Sequence, residues 1–525
     1  MTTTDRPIPA DRFADRLADR LARWGPALFF LALQATFAAT FGIFRDELYY
    51  LACAARLDWG YVDHPPLIAV LTALWTGLFG NSVTALRVLP ALAGAATVAL
   101  AGSIARRMGG GNFAVAFAGL SVALSPIILG LTSVLSMNAL DLLFWALALR
   151  LVVDLLDDGD PRGWLGFGAI AGLGLLNKIS LLFLGFGLVA GLVLARRWAI
   201  FRNRWFWLGG VLAGLLFAPH LVWQRSHGWP TLEFMKNASE GKNVALDPLA
   251  FLGRQLLQTG PFHALVWLAG LGALLLMARM RPWRALGFAY FAILGVMLSS
   301  AAKPYYLAPV YPMLWAAGAV AIERFSARAA GQGLFRPIAR WCLAGLVVLS
   351  GLAFAPLARP MLPVETYVCY ARAFGEEPGT DERKSLGRLP QFFADMQEWK
   401  EMAEAVARAA TRLTAEERPL ACVFGENYGE AGAVEHFGRE LDLPPAFSGH
   451  NNWFLWGIGR CAMAPALVIL GNDRERLDKL FEEVELATTF SCRDCMPYED
   501  NLPIWIARRP RGSLVELWPR IKHFD

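Results

Sequence analysis

Charge is scarce in this 525-residue chain, where Asp, Glu, Lys and Arg together make up 18%. A soluble fold of this length, a disordered tail or a nucleic-acid-binding surface would each carry more. Dedicated metal-ligand spacing is missing too. The 7 His and 7 Cys include no HxxxH pair. The one C-x-x-C, Cys492-Arg493-Asp494-Cys495, lacks the two further ligands that zinc needs, so a structural disulfide is expected there.

What fills the chain is apolar mass: 56% AVILMFWYC, 49 glycines and a mean hydropathy of +0.40. An α-helix needs about 20 apolar residues to cross roughly 30 Å of hydrocarbon. Eleven runs meet or approach that length, near 24–44, 84–105, 112–132, 138–156, 164–177, 179–195, 205–223, 263–278, 284–300, 309–325 and 340–357. The stretch from Trp164 to Leu194 reads either as one long helix or as a pair broken at Asn177-Lys178. The expected fold class is an α-helical polytopic membrane protein of about 11 transmembrane helices.

The charges divide the chain. Up to residue 357 there are 29 Lys+Arg against 17 Asp+Glu, and from 358 onward 20 against 27. A basic membrane part followed by an acidic, well-charged part implies two different solvents. The expected domains are a cytoplasmic amphipathic segment at 1–23, a transmembrane domain at 24–357 and a soluble domain at 358–525. With a cytoplasmic N-terminus, 20 of the 29 basic residues of the membrane part fall on the cytoplasmic side. An odd number of spans then puts the tail in the periplasm of an inner-membrane protein. Five of the seven cysteines lie in that tail, where an oxidising compartment permits disulfides.

Within the tail, helical spacing over 398–413, 429–441 and 474–486 alternates with short apolar strands at 420–424, 464–470 and 503–507. That order predicts a small α/β domain. Asn427-Tyr428, the Ser448 to Trp453 stretch and Trp456-Gly457 fall in loops after strands, where α/β sheets place ligands.

The densest chemistry follows the first apolar run: Arg45-Asp46-Glu47-Leu48-Tyr49-Tyr50, then Asp58-Trp59-Gly60-Tyr61-Val62-Asp63-His64-Pro65-Pro66-Leu67. Two adjacent carboxylates at a hydrocarbon edge must be solvated, paired or used. The surrounding Tyr, Trp, Asp and His have the composition of a carbohydrate-binding or acid/base site. This acidic pair followed by D-W-G-Y-x-D-H-P-P-L resembles bacterial GT-C glycosyltransferases of the family 39 and ArnT-like (family 83) type. Ser136 to Trp145, Gly172 to Lys178, Trp229 to Phe234 and Lys303 to Leu307 are similar to the same group, over roughly residues 40–325.

The resemblance implies a GT-C membrane enzyme that takes sugar from a polyprenyl-phosphate donor, with lipid A, another glycan or a protein as acceptor and the lipid bilayer as its setting. It implies Asp46 as catalytic base, Glu47 as its neighbour and Asp141 as a second site acid, although Leu142-Leu143 departs from the small residue and Pro that commonly follow that Asp. Lys303, Lys178 and Arg254 are the candidates for the donor phosphate. Tyr49, Tyr50, Asp63, His64, Tyr305 and Tyr306 are candidates for substrate contact. His64 beside Asp46 and Asp63 leaves a divalent cation open, but a hydrogen bond within its own loop is the simpler reading; no metal ligand and no firm cofactor is assigned. A secondary transporter would need internal repeats and midplane charges, and neither is evident. A non-catalytic envelope-assembly protein is the remaining alternative.

Overall fold

The computed structural model describes residues 9–300, 302–327 and 335–525. The start of the expected amphipathic segment, with Arg6, and the stretch holding Arg328 lie outside the described residues. The chain forms two compact units: Met1–Ala38, Arg87–Ala218 and Ala245–Met361 make the first, and Ala39–Leu86, Pro219–Val244 and Leu362–Asp525 the second.

The first unit is helical. Every apolar run named above carries a helix, and the Trp164 to Leu194 stretch is two of them, Gly163–Asn177 and Leu181–Leu194. By length and composition alone, four helices among the described residues can cross a membrane: Val83–Arg107, Arg204–Ser226, Pro304–Ala327 and Ile338–Ala358. A fifth results if Pro248–Thr259 and Pro261–Leu276, bent by 109° at Gly260, count as one span. Asn112–Ala123 is shorter than its run because Ser125-Pro126 ends it and starts a new helix, Pro126–Leu131. Helices Pro261–Leu276 and Tyr311–Ala327 approach backbone to backbone at Gly270 and Gly318, where an added Cβ would strike the Leu314 and Val266 carbonyls. Small residues at such crossings are how helices pack where lipid removes the hydrophobic drive. Around them Trp145 and Trp315 are fully buried.

The second unit holds a five-stranded sheet: β1 Cys422–Phe424, β2 Ala446–Phe447, β3 Ala466–Leu470, β4 Phe481–Phe490 and β5 Leu502–Pro510. Their order is β2-β1-β3-β5-β4, parallel from β2 to β3 and antiparallel from β3 to β4. Central β3 (ALVIL) is buried at every residue, as a strand covered on both faces must be. Disulfides join Cys422 to Cys461 and Cys492 to Cys495, the latter being the C-x-x-C.

One expected element is corrected. The helix read over 474–486 ends at Leu480, and β4 begins at Phe481. Glu482, Glu483 and Glu485 look like a solvated helix face, yet they pair across strands with Arg508 and Arg509 of β5. The cross-strand cations compensate charges that local spacing assigns to water.

Candidate functional site

In the second unit, the Asp46 motif is built on a ten-residue helix, Arg45–Ala54. Phe44 is extended, and its N–H donates to Glu47 Oε2 at 2.8 Å. Glu47, fully buried, thus satisfies a donor at the helix start that would otherwise be orphaned. Arg45 N donates to the Asp395 carbonyl at 2.9 Å, and its guanidinium lies 3.4 Å from Asp395 Oδ2 and donates to Tyr498 Oη at 2.9 Å. Burial pushes the Asp395 carboxyl up to about 6 even though Arg45 opposes the shift.

Asp46 differs from these neighbours in keeping 34% of its side chain exposed. Its Oδ1 accepts from the Tyr428 hydroxyl at 2.8 Å and lies 3.8 Å from Arg45 Nε, while Oδ2 has no partner among the described residues. Tyr428 opens helix Tyr428–Leu441, whose start is capped by Asn427 Oδ1 on Gly429 N and Glu430 N. Gly429 and Gly432 let this helix lie against Arg45–Ala54: a Cβ on Gly429 would meet Arg45 Cγ at 2.7 Å, and one on Gly432 would meet Leu48 Cβ at 3.0 Å. Burial pushes the Tyr428 phenol well up, so it remains a donor.

Tyr49, Tyr50 and His64 are buried, the last with no exposure at all. Tyr49 Oη donates to Asp63 Oδ1 at 2.8 Å, and burial raises that carboxyl. His64 Nδ1 donates to its neighbour's carbonyl, Pro65 O, at 2.8 Å, the ring stacks on Tyr61 at 4.6 Å, and burial keeps the imidazole neutral by lowering its pKa. Tail residues among those expected near a ligand also hold this loop: Asn452 Oδ1 accepts from Val62 N at 2.7 Å, and Arg56 lies over the Trp453 and Trp456 rings while pairing with Glu435. Glu233 pairs with Lys522 at 2.7 Å.

His450, His523 and Asp525 bring ligand-type atoms within 4.8 Å of one another. His450 Nδ1, however, accepts from Tyr428 N at 3.4 Å, so its proton sits on Nε2 and points to the Asp525 carbonyl 3.1 Å away.

The first unit has its own cluster, at the break between Gly163–Asn177 and Leu181–Leu194. Lys178 Nζ donates to Asn138 Oδ1 at 2.7 Å, lies 3.8 Å from Asp141 Oδ2, and sits over the Tyr306 and Tyr305 rings at 4.9 and 5.7 Å. Asp141, 2% exposed, also accepts from Ser180 Oγ at 2.5 Å, and Asn177 Nδ2 donates to the Met137 carbonyl. Lys303 precedes the short helix Pro304–Val310 that carries both tyrosines. Gln255 Nε2 donates to the Pro304 carbonyl at 3.0 Å, which ties in the helix of exposed Arg254. Asp141, Lys178, Tyr305 and Tyr306 therefore belong to one cluster, while Lys303 and Arg254 are sequence neighbours of Pro304 and Gln255, which join its flank.

Asp395, Tyr498, Glu430 and Glu499, all packed near Arg45 or Tyr428, escaped the sequence reading. No motif marks them, and the lone Asp in Phe392-Phe393-Ala394-Asp395 is the only local hint.

This arrangement of apolar helices with a small mixed sheet is the GT-C glycosyltransferase fold of ArnT-like kind. The apo structure of ArnT from Cupriavidus metallidurans superimposes with a TM-score of 0.62 at 16% identity, covering 92% of this chain and 98% of that one. The structure of the same protein bound to undecaprenyl phosphate gives 0.60 at 15% identity over the same shares. Residues 63–223 match the family model described as dolichyl-phosphate-mannose-protein mannosyltransferase. No curated protein matches the chain in sequence.

Proposed function

We propose that this protein is a membrane glycosyltransferase that moves a sugar from a polyprenyl-phosphate donor to an envelope acceptor, lipid A or another glycan or protein, at the periplasmic face. The observation that carries the reading is Asp46, a one-third-exposed carboxylate with one oxygen anchored and the other without a partner among the described residues. The undecaprenyl phosphate bound to the structurally similar ArnT supports the donor class.

A polyprenyl phosphate leaves without needing a proton, because its oxygens are stabilised by cations. Lys178, Lys303 and Arg254 are the proposed cations, with Tyr305 and Tyr306 beside Lys178. Only the acceptor hydroxyl then needs a base. One carboxylate suffices, and a single displacement inverts the anomeric carbon. Asp46 takes that proton on its free oxygen. Asp141, held between Lys178 and Ser180, positions the lysine.

Asp46→Asn should lower transfer by about 10²–10⁴, the usual contribution of a general base, with expression and donor binding retained. The measurement is single-turnover transfer from a polyprenyl-phosphate sugar by purified protein in detergent. Retention of more than about half the wild-type rate would remove Asp46 from the base role.

A further inference from the structure

We propose that Tyr428 is the positioning residue for the base: its hydroxyl fixes Asp46 Oδ1 so that Oδ2 alone meets the acceptor proton. This rests on the assignment of Asp46 above.

The geometry is over-determined on the tyrosine side and sparse on the carboxylate side. Tyr428 is buried, its ring 4.9 Å from Tyr49 and 4.7 Å from His450, with the Arg45 guanidinium 5.2 Å from its centroid. Its backbone is held by the Asn427 cap and by the contact of Tyr428 N with His450 Nδ1. Asp46, by contrast, is one-third exposed and, among the described residues, receives a single hydrogen bond, from Tyr428. A carboxylate with two free torsions and one fixed oxygen has its reactive lone pairs aimed, whereas one without that bond samples several rotamers. A base acts only within hydrogen-bond reach of the proton that it takes, so the aim is worth rate. Placement matters to the rate because misplacement by about 1 Å can lose roughly 100-fold.

The test is a double-mutant cycle. Tyr428→Phe removes one oxygen and keeps the ring against Tyr49, His450 and Arg45, so the fold is retained, as an unchanged melting temperature checks. We expect kcat to fall about tenfold or more, with the apparent KM for the donor unchanged within about twofold. In the Asp46→Asn background, where there is no base to aim, Tyr428→Phe should cost nothing further. An equal loss in both backgrounds, or a wild-type kcat in Tyr428→Phe, would overturn the proposal while leaving Asp46 as the base. Full activity of Asp46→Asn itself would instead overturn the assignment on which it rests.

Discussion

Glu430 shows how a single buried residue writes a pH dependence into the second unit. Its oxygens accept from Glu426 N at 2.7 Å and Asn427 Nδ2 at 2.8 Å, yet burial, with Glu426 nearby, pushes its carboxyl from 4.5 up to about 8. The folded state therefore holds this proton more tightly than the unfolded one. Its contribution to stability is full below about 4.5 and is lost as pH rises toward about 8. Glu430→Gln cannot ionise. Its melting temperature relative to wild type should rise between pH 5 and 8, since even a tenfold change in proton affinity is worth about 1.4 kcal/mol. The fixed cost of placing an amide there cancels in the trend, and a flat difference would mean that Glu430 is ionised in the fold. The burial of such a residue was illegible in the sequence, because the hydrogen-bonding spacing of Glu430 with Glu426 and Asn427 fits an exposed helix start equally well. Asp46 and Lys178 stood out as candidates because motif neighbours at short spacing mark them; Asp395, 350 positions from the Arg45 it pairs with, has no such neighbours.

Between elements, the break at Lys178-Ser180 matters most. The helix Gly163–Asn177 stops where Asn177 turns to the Met137 carbonyl, and the lysine that follows is extended, φ −154° and ψ 135°, which brings it to Tyr306. Lys303 stands at the head of the helix that carries Tyr306, and Pro304 restricts the chain there. Lys303→Ala and Lys178→Ala should each raise the donor concentration needed for half-maximal transfer. A short-chain donor analogue should show the same loss, because the proposed contact is to phosphate and not to the lipid tail. Unchanged donor dependence in Lys303→Ala would leave the phosphate to Lys178 and Arg254. Element identity was readable wherever one periodicity ran alone, as in buried β3. It failed at β4, where the acidic residues are balanced by Arg508 and Arg509 more than twenty residues later.

For the whole molecule, the Lys/Arg bias of the membrane part argues an orientation. Reporter fusions after residue 281, among Arg279, Arg281 and Arg284, should be active only as cytoplasmic reporters, and fusions after residue 360 only as periplasmic ones. A cytoplasmic signal at 360 would reverse the orientation. Composition made the membrane class and the acidic tail readable, but not which loops join that tail, since nothing local records a contact between residues 46 and 428.

The unit that carries Asp46 is drawn from three stretches, Ala39–Leu86, Pro219–Val244 and Leu362–Asp525. That discontinuity sets a schedule. During synthesis the Asp46 loop emerges hundreds of residues before Tyr428 exists, and contacts so distant in sequence are the slowest to form. The carboxylate thus waits, without its hydroxyl partner, through the insertion of every helix in between. The contact between Asp46 and Tyr428 can form only after 382 further residues have been made.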